Sequence, residues 1–531
     1  MARKGSIGGV RDHGPLIIEQ FNGWWSRGDP ESAPSDHFIV AENVQYFNSG
    51  VETRDGIDNY QKGSTALVKI KRVYNYVMQS GQSLLVLVEG GSIYHVVGPN
   101  TIQGPILTIA GMDDFGFVAI AGRAYITPFK YYVDSQGINY ELGIKNEFVY
   151  VYKGDGTPAR KAAGPKPSGS PLTVAHDVTG LTDFGFHLIA VVYETDTGYI
   201  TALGPEVFGS LEFDGEHKIK VSNIPVSPNA YVKKRHLVST KWIPEYNEDQ
   251  EGYQFFFIPE GNIDDNTTTT KVVEYFDADL LSDASHLIDN FDQIPSGVNL
   301  NTYHSRMVIV GEFGTDETLK DLPVGILDNR SVARVSFPGE PEAISKVDGL
   351  LIAPLDGNPL TNCQEFRDVL YLFKRSRTFA YSDNQEEPAS WQEEVLDQGV
   401  GAPVHGIATV LDTGGVNIDF LLIADWSGLM LFNGTYARPE MSWKIENWWM
   451  GMDRNQFRYI QIVNDSLSKK VWMTLPPPNR HIVMHMDYGN GMDAMSVRWA
   501  KWIFDAKMSA VALIETNRLI LGALEDANAP N

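Results

Sequence analysis

The chain of 531 residues has a single cysteine, Cys363, so no intramolecular disulfide can form and a small secreted disulfide scaffold is excluded. One thiol also leaves no thiolate zinc cluster, and the expected role of Cys363 is a small buried apolar residue. Gly-x-x-x-x-Gly-Lys-Ser/Thr, His-Glu-x-x-His and Gly-x-Ser-x-Gly are all missing, which removes the P-loop, zincin and nucleophile-elbow readings. Positive charge is scarce. There are 43 Lys and Arg against 67 Asp and Glu, a net charge of −24 spread along the chain. A sequence-specific DNA binder shows a basic patch or stripe, so this balance argues against one. It is compatible with DNA that passes nearby without being held. Long apolar runs are missing too. The longest uncharged stretch, Gly90 to Met112, carries five Gly and two Pro and reads as strands and turns instead of a membrane span. Met1 to Gly5 is basic but has no apolar segment behind it, so a signal peptide is not expected and synthesis in a cytoplasm is.

What is plentiful points to an all-β chain. Gly (49) and Pro (28) supply turns, and 11 Trp, 23 Tyr and 25 Phe supply a core. One short grammar recurs: an apolar alternating run, a polar turn, a second run. Ser83–Val88 leads through Gly90-Gly91 into Ile93–Val96, and Phe117–Ile120 through Gly122-Arg123 into Ala124–Ile126. Val369–Phe373 leads through Arg375-Ser376-Arg377 into Thr378–Tyr381, and Phe420–Ile423 through Asp425–Gly428 into Leu429–Phe432. Further pairs are expected at 306–310 with 332–337, at 458–463 with 470–475 and then 482–486, and at 510–514 with 518–521. A hairpin repeated across a long chain predicts a β-propeller, here of roughly six to eight blades.

The repeat is interrupted. Pro158 to Pro171 is a Pro/Gly-rich linker that no helix or central strand survives. Roughly seven strands follow in about 110 residues, the density of an immunoglobulin or fibronectin III-like β-sandwich. The expected organisation is therefore 1–157 (opening segment, first blades and a β-rich extension that includes Glu147–Tyr152), 158–285 (inserted sandwich) and 286–531 (remaining blades). Strands of the opening segment, which starts with Leu16-Ile17-Ile18, are expected to close the ring beside 510–521 so that no edge is left free.

Candidate chemistry is thin. His481, His485 and Asp487 share one face of a strand and offer divalent-metal donors, but one strand rarely supplies a full ligand set, so a polar strand face is favoured. Glu194 and Asp196, and Asp264 and Asp265, lie in turns, where solvated carboxylates are commoner than a calcium loop. Trp24-Trp25 and Trp448-Trp449 offer sugar-stacking rings, though such pairs more often lock a core or interface. No two carboxylates can be paired for glycoside hydrolysis from sequence. Arg160, Lys161 and Lys166 read as a solvated basic linker. No catalytic, cofactor-binding or metal-ligating residue is assigned, and the protein is expected not to be an enzyme.

The opening Phe21-Asn22-Gly23-Trp24, a Pro/Ser/Asp loop, then Asn43-Val44 and Gly50-Val51-Glu52-Thr53-Arg54-Asp55-Gly56 resembles the start of tailed-bacteriophage β-propeller tail proteins. Their openings read F-x-G-G, a loop, N-V, a spacer, then G-x-x-x-R-P-G. Trp24 and Asp55 depart from that pattern. Asp397-Gln398-Gly399-Val400-Gly401 and Gly428–Thr435 are similar to the family's blade pattern. The resemblance implies a virion structural protein, a tail tubular or nozzle protein of short-tailed phages. It would form a ring, commonly a hexamer, at the tail tip, contact neighbouring tail or adaptor proteins, and let double-stranded DNA pass on ejection without specific binding. A carbohydrate-binding or carbohydrate-cleaving propeller in a receptor-binding tail part, and an interaction scaffold outside viruses, are the alternatives.

Overall fold

The computed structural model describes residues 22–27, 33–34, 37–47, 50–54, 60, 67–78, 80–133, 139–204, 207–244, 253–313, 330–385, 387–397, 399–412, 418–434, 437–438, 441–514 and 518–524. Leu16-Ile17-Ile18 and the turn at 515–517 lie outside them. The protein is all-β, built from small antiparallel sheets. It divides into two compact units. One holds residues 1–60, 406–433 and 437–521, and the other holds 61–405 with short pieces beyond.

The larger unit contains four meander sheets, in which each strand pairs with the next. The first runs Ile70–Met78, Gly81–Val88, Ser92–Gly98, Thr101–Thr108. The second runs Asp114–Ile120, Arg123–Val133, Tyr150–Tyr152, Arg160–Lys161, with Asn139–Leu142 paired to the end of its long second strand. The third is built on Asn299–Tyr303, Arg306–Val310, Val332–Phe337, Glu340–Ile344, and the fourth on Leu360–Phe366, Val369–Lys374, Thr378–Ser382, Gln392–Asp397. The smaller unit holds Ile407–Asp412, Ile418–Asp425, Gly428–Phe432, Ala437–Arg438, then Ile462–Asp465, Lys470–Thr474, Ile482–Asp487, Arg498–Ile503, and the hairpin that begins at Met508–Ile514.

All four repeated hairpins form where the apolar runs and turns placed them. Leu87 faces Ile93, Phe117 faces Ile126, Leu372 faces Phe379 and Leu422 faces Leu431. The strands read as near-continuous apolar runs because both faces are covered. Within the larger unit, one apolar layer (Leu85, Leu87, Phe115, Ile126) joins sheets one and two, and a second (Tyr125, Val151, Met307, Ile309) joins two and three. A third (Val308, Val310, Leu370, Leu372) joins sheets three and four. In the smaller unit Leu422 and Ala424 share a layer with Val471, Met473 and Met484. Each such buried Leu, Ile or Phe contributes ~1.5–3 kcal/mol relative to exposure. First strands lie beside first strands: Asp114–Ile120 touches both Ile70–Met78 and Asn299–Tyr303, and Asn299–Tyr303 touches Leu360–Phe366.

The insert is two sheets. Thr173–Thr179, His217–Ser222 and Thr270–Val273 form one, and Gly209–Asp214, Phe184–Thr195, Val232–Thr240 and Phe255–Ile263 the other. Ile189, Val191, Phe213 and Leu237 pack on Ile219, Val221 and Val273 between them.

Several local expectations are corrected. The described part of the opening segment docks on Arg498–Ile503, where Trp24 N donates to Trp499 O (3.0 Å) and Asn43 N to Lys501 O (2.7 Å), while Arg518 lies over the Tyr60 ring at 4.8 Å. The close approach selects this partner, because a Cβ on Gly23 would sit 2.7 Å from Trp499 N. Arg458 and Tyr459 belong to a 3-10 turn, so that strand starts at Ile462. The strand expected over Glu147–Tyr152 is Tyr150–Tyr152 alone. Trp448 and Trp449 lie in a one-turn helix, Glu446–Met450. The linker is no free tether, since Arg160–Lys161 is the edge strand of the second sheet. No helix among the described residues is long and apolar enough to cross a membrane.

Candidate functional site

The residues of the opening motif converge on one strand. Asn43 adopts φ 54, a left-handed conformation that its short polar side chain tolerates. Its Oδ1 accepts from Arg54 Nε (3.0 Å) and from Ile503 N (2.9 Å). Arg54 Nη2 reaches Ile503 O at 3.3 Å. Trp24 is buried, donates Nε1 to Ile39 O and meets Trp448 edge-on. Trp449 is buried and donates to Asp425 O. The interior thus consumes one ring of each Trp pair. The blade-like segment is equally constrained: a Cβ on Gly401 would lie 2.2 Å from Lys374 O.

A cluster of strongly coupled buried groups lies in the larger unit. Asp114, fully buried, takes Arg72 Nε on Oδ2 at 2.7 Å, His405 Nε2 at 3.1 Å, and the Tyr131 hydroxyl. Its Oδ1 accepts Phe115 N at 2.9 Å. Burial alone would raise this carboxyl, but Arg72, followed by His405 and Tyr131, overrides it and holds it well below the usual carboxylate range. Burial drives His405 down despite Asp114. Perturbed groups cluster at catalytic sites, yet a carboxylate stabilised this strongly is a poor base. The arrangement works as a polar weld between strands of the first two sheets and His405. A second weld moors the linker. Glu342 accepts Arg160 Nη1 (3.1 Å), Ala163 N (2.8 Å) and Thr197 Oγ1 (2.6 Å), while Arg160 Nε donates to Asp196 (3.1 Å). Lys166 pairs with Asp292 at 3.1 Å. Arg160 is therefore largely buried in its ion pairs, while Lys166 keeps a side-chain exposure of 41%.

The other residues singled out by sequence are occupied elsewhere. His485 is buried between Trp502 (5.2 Å, stacked) and Trp472 (5.7 Å), and burial lowers it to about 3. Asp487 pairs with Arg498 at 3.1 Å, and His481 sits in a preceding 3-10 turn. These three do not converge. Glu194 binds His236 (2.7 Å), and Asp265 accepts from Arg235, Thr267 and Thr268. Cys363 is buried, and burial pushes its thiol up.

Among the described residues two groups of potential ligands do come together: His176, Asp214 and His217 on the insert, and His304, Glu365 and Asp368 on sheets three and four. In each group the donor atoms lie within 4.8 Å of one another. Sequence reasoning missed both. Asp214 and His217 span a turn and are readable as a pair, but nothing local points to His176.

No family model matches the chain, and no curated protein does. Among solved structures, BBS1N in complex with ARL6DN aligns at 7% identity over 88% of this chain and 93% of that one, with a TM-score of 0.28. The extracellular domain of the hybrid two-component system BT3049 from B. thetaiotaomicron aligns at 9% over 85% and 74%, with a TM-score of 0.22. Apo AztD from Citrobacter koseri aligns at 11% over 64% and 90%, with a TM-score of 0.23. Likeness at this level carries no functional argument.

Proposed function

We propose that this chain is a virion structural protein, a tail nozzle or tail-tube component of a short-tailed bacteriophage. Its meander sheets are blades of a β-propeller, and copies of it form a ring, most simply a hexamer, that the genome crosses. The reading rests on one observation: Gly23, Asn43 and Arg54, positions that carry the tail-protein resemblance, all meet strand Arg498–Ile503, so the motif serves architecture. Face-to-face sheets with adjacent first strands are what blades require. Net charge supports the conduit, since an acidic wall would not retain phosphate by counterion release.

The insert is the part that meets neighbours. Taking Thr173–Thr179 as the second strand of an immunoglobulin-like domain keeps that fold's B–E pair and C–F–G run, with the last strand beside E. Val178, Leu181, Phe184 and Trp242 are exposed on it (60%, 63%, 74% and 56%) and offer apolar side chains to a neighbour. They fit the adjacent subunit or the tail protein above it.

Native mass spectrometry with negative-stain imaging tests the ring. Several subunits around a hole wide enough for a duplex support it. A chain monomeric at every concentration and absent from particles of the phage that encodes it overturns it, as would a basic lumen. Removing 165–285 should block assembly while the sheets stay folded, and normal rings from that deletion rule out the insert's role.

A further inference from the structure

We propose that His176, Asp214 and His217 form a binding site for a divalent transition-metal ion on the insert. Asp214 ends strand Gly209–Asp214, His217 begins strand His217–Ser222, and His176 lies on the neighbouring strand Thr173–Thr179. A register shift between His176 and Thr179 breaks the ladder beside His217. Bulges of this kind re-aim side chains. Both imidazoles then point Nδ1 at the same atom: His176 Nδ1 and His217 Nδ1 each lie 2.7 Å from Asp214 Oδ2, with the rings stacked at 5.5 Å. The Glu216 backbone N–H donates to the other carboxylate oxygen, Asp214 Oδ1, at 3.0 Å.

The hydrogen-bond inventory of His176 decides what the site wants. Its Nε2 lies 2.9 Å from the backbone oxygen of Glu212, which only accepts, so Nε2 carries the proton. A neutral ring then turns the Nδ1 lone pair toward a carboxylate oxygen, acceptor against acceptor. Positive charge must lie between them. A proton there makes the ring an imidazolium stacked on a second imidazole that shares the same oxygen. One metal ion satisfies both Nδ1 atoms and the carboxylate at once with neither ring charged. The Glu212 contact is the outer hydrogen bond that orients metal-ligating histidines. Two imidazoles and a carboxylate suit Zn²⁺, Ni²⁺ or Cu²⁺ over Ca²⁺ or Mg²⁺, and leave coordination positions open. Side-chain exposures of 31%, 36% and 38% allow entry and the small spreading that metal bonds of about 2.0–2.2 Å need.

The test is Zn²⁺ binding to the untagged full chain by isothermal titration and by metal analysis after dialysis, with Co²⁺ absorption as a geometric probe. One site is expected, weakened at least about tenfold in His176→Ala and in His217→Ala and unchanged in His304→Ala. Co²⁺ should give visible bands stronger than those of the hydrated ion. Asp214→Asn, which keeps the turn acceptor, guards against a folding defect in the alanine variants and should weaken binding too. No retained Zn²⁺, or retention indifferent to all three substitutions, overturns the site and leaves a protonated histidine pair.

Discussion

Asp114 and Asp214 both hold histidine, and their surroundings make them opposites. Asp114 has a side-chain exposure of 1% and is enclosed by donors from several strands, so both carboxylate oxygens are committed to the fold. Asp214 is 36% exposed and gathers two imidazoles at a turn. Face-to-face packing leaves the meander sheets no room for an unpaired charge, and each buried ion there must be matched. The insert keeps its apolar core between two thin sheets, and its rim is open to ligands and neighbours. The proposed metal site and the proposed neighbour contacts both fall on the insert.

The largest test of this contrast is Asp114→Ala, which strands Arg72 in the interior. Chemical denaturation should show a loss of about 3–5 kcal/mol, and a loss below about 1 kcal/mol would end the contrast. Glu342→Ala comes next at about 2–3 kcal/mol, less because Arg160 keeps Asp196. It should also raise protease sensitivity at the linker before the sheets unfold.

A third test uses a buried group with no counter-charge. His485 is lowered to about 3 from an ordinary 6.5, so the unfolded chain takes the proton first. Stability is complete above pH 6.5 and falls by up to about 1.4 kcal/mol per pH unit as pH drops toward 3. Denaturation at pH 7 and pH 5 should reveal this slope in the native chain and its loss in His485→Phe. Asn43→Ala, which removes an acceptor shared by Arg54 and Ile503, should cost about 1–2 kcal/mol. The smallest effect is expected at Asp214. In metal-free buffer Asp214→Asn should leave the melting temperature unchanged, and a clear drop would place Asp214 with the structural carboxylates.

Much of the fold was legible locally. Apolar runs and turn residues placed the four hairpins because strand preference and turn chemistry act over a few residues. Thr173–Thr179 escaped notice, since it is polar and largely exposed on both faces and so has no apolar run to read. Gly209–Asp214 escaped as well. The welds were illegible: Arg72 and Asp114 are 42 residues apart, and Arg160 and Glu342 are 182 apart. The His-Asp-His group depends on a register shift that no spacing announces.

The sequence by itself determined an all-β chain of repeated hairpins, interrupted by a Pro/Gly linker and a denser strand cluster, because strand, turn and linker preferences are short-range. Only the tertiary structure decided which charges are matched, where the opening segment docks and which histidines meet. Those outcomes depend on sheet register and face-to-face packing between residues far apart in the chain.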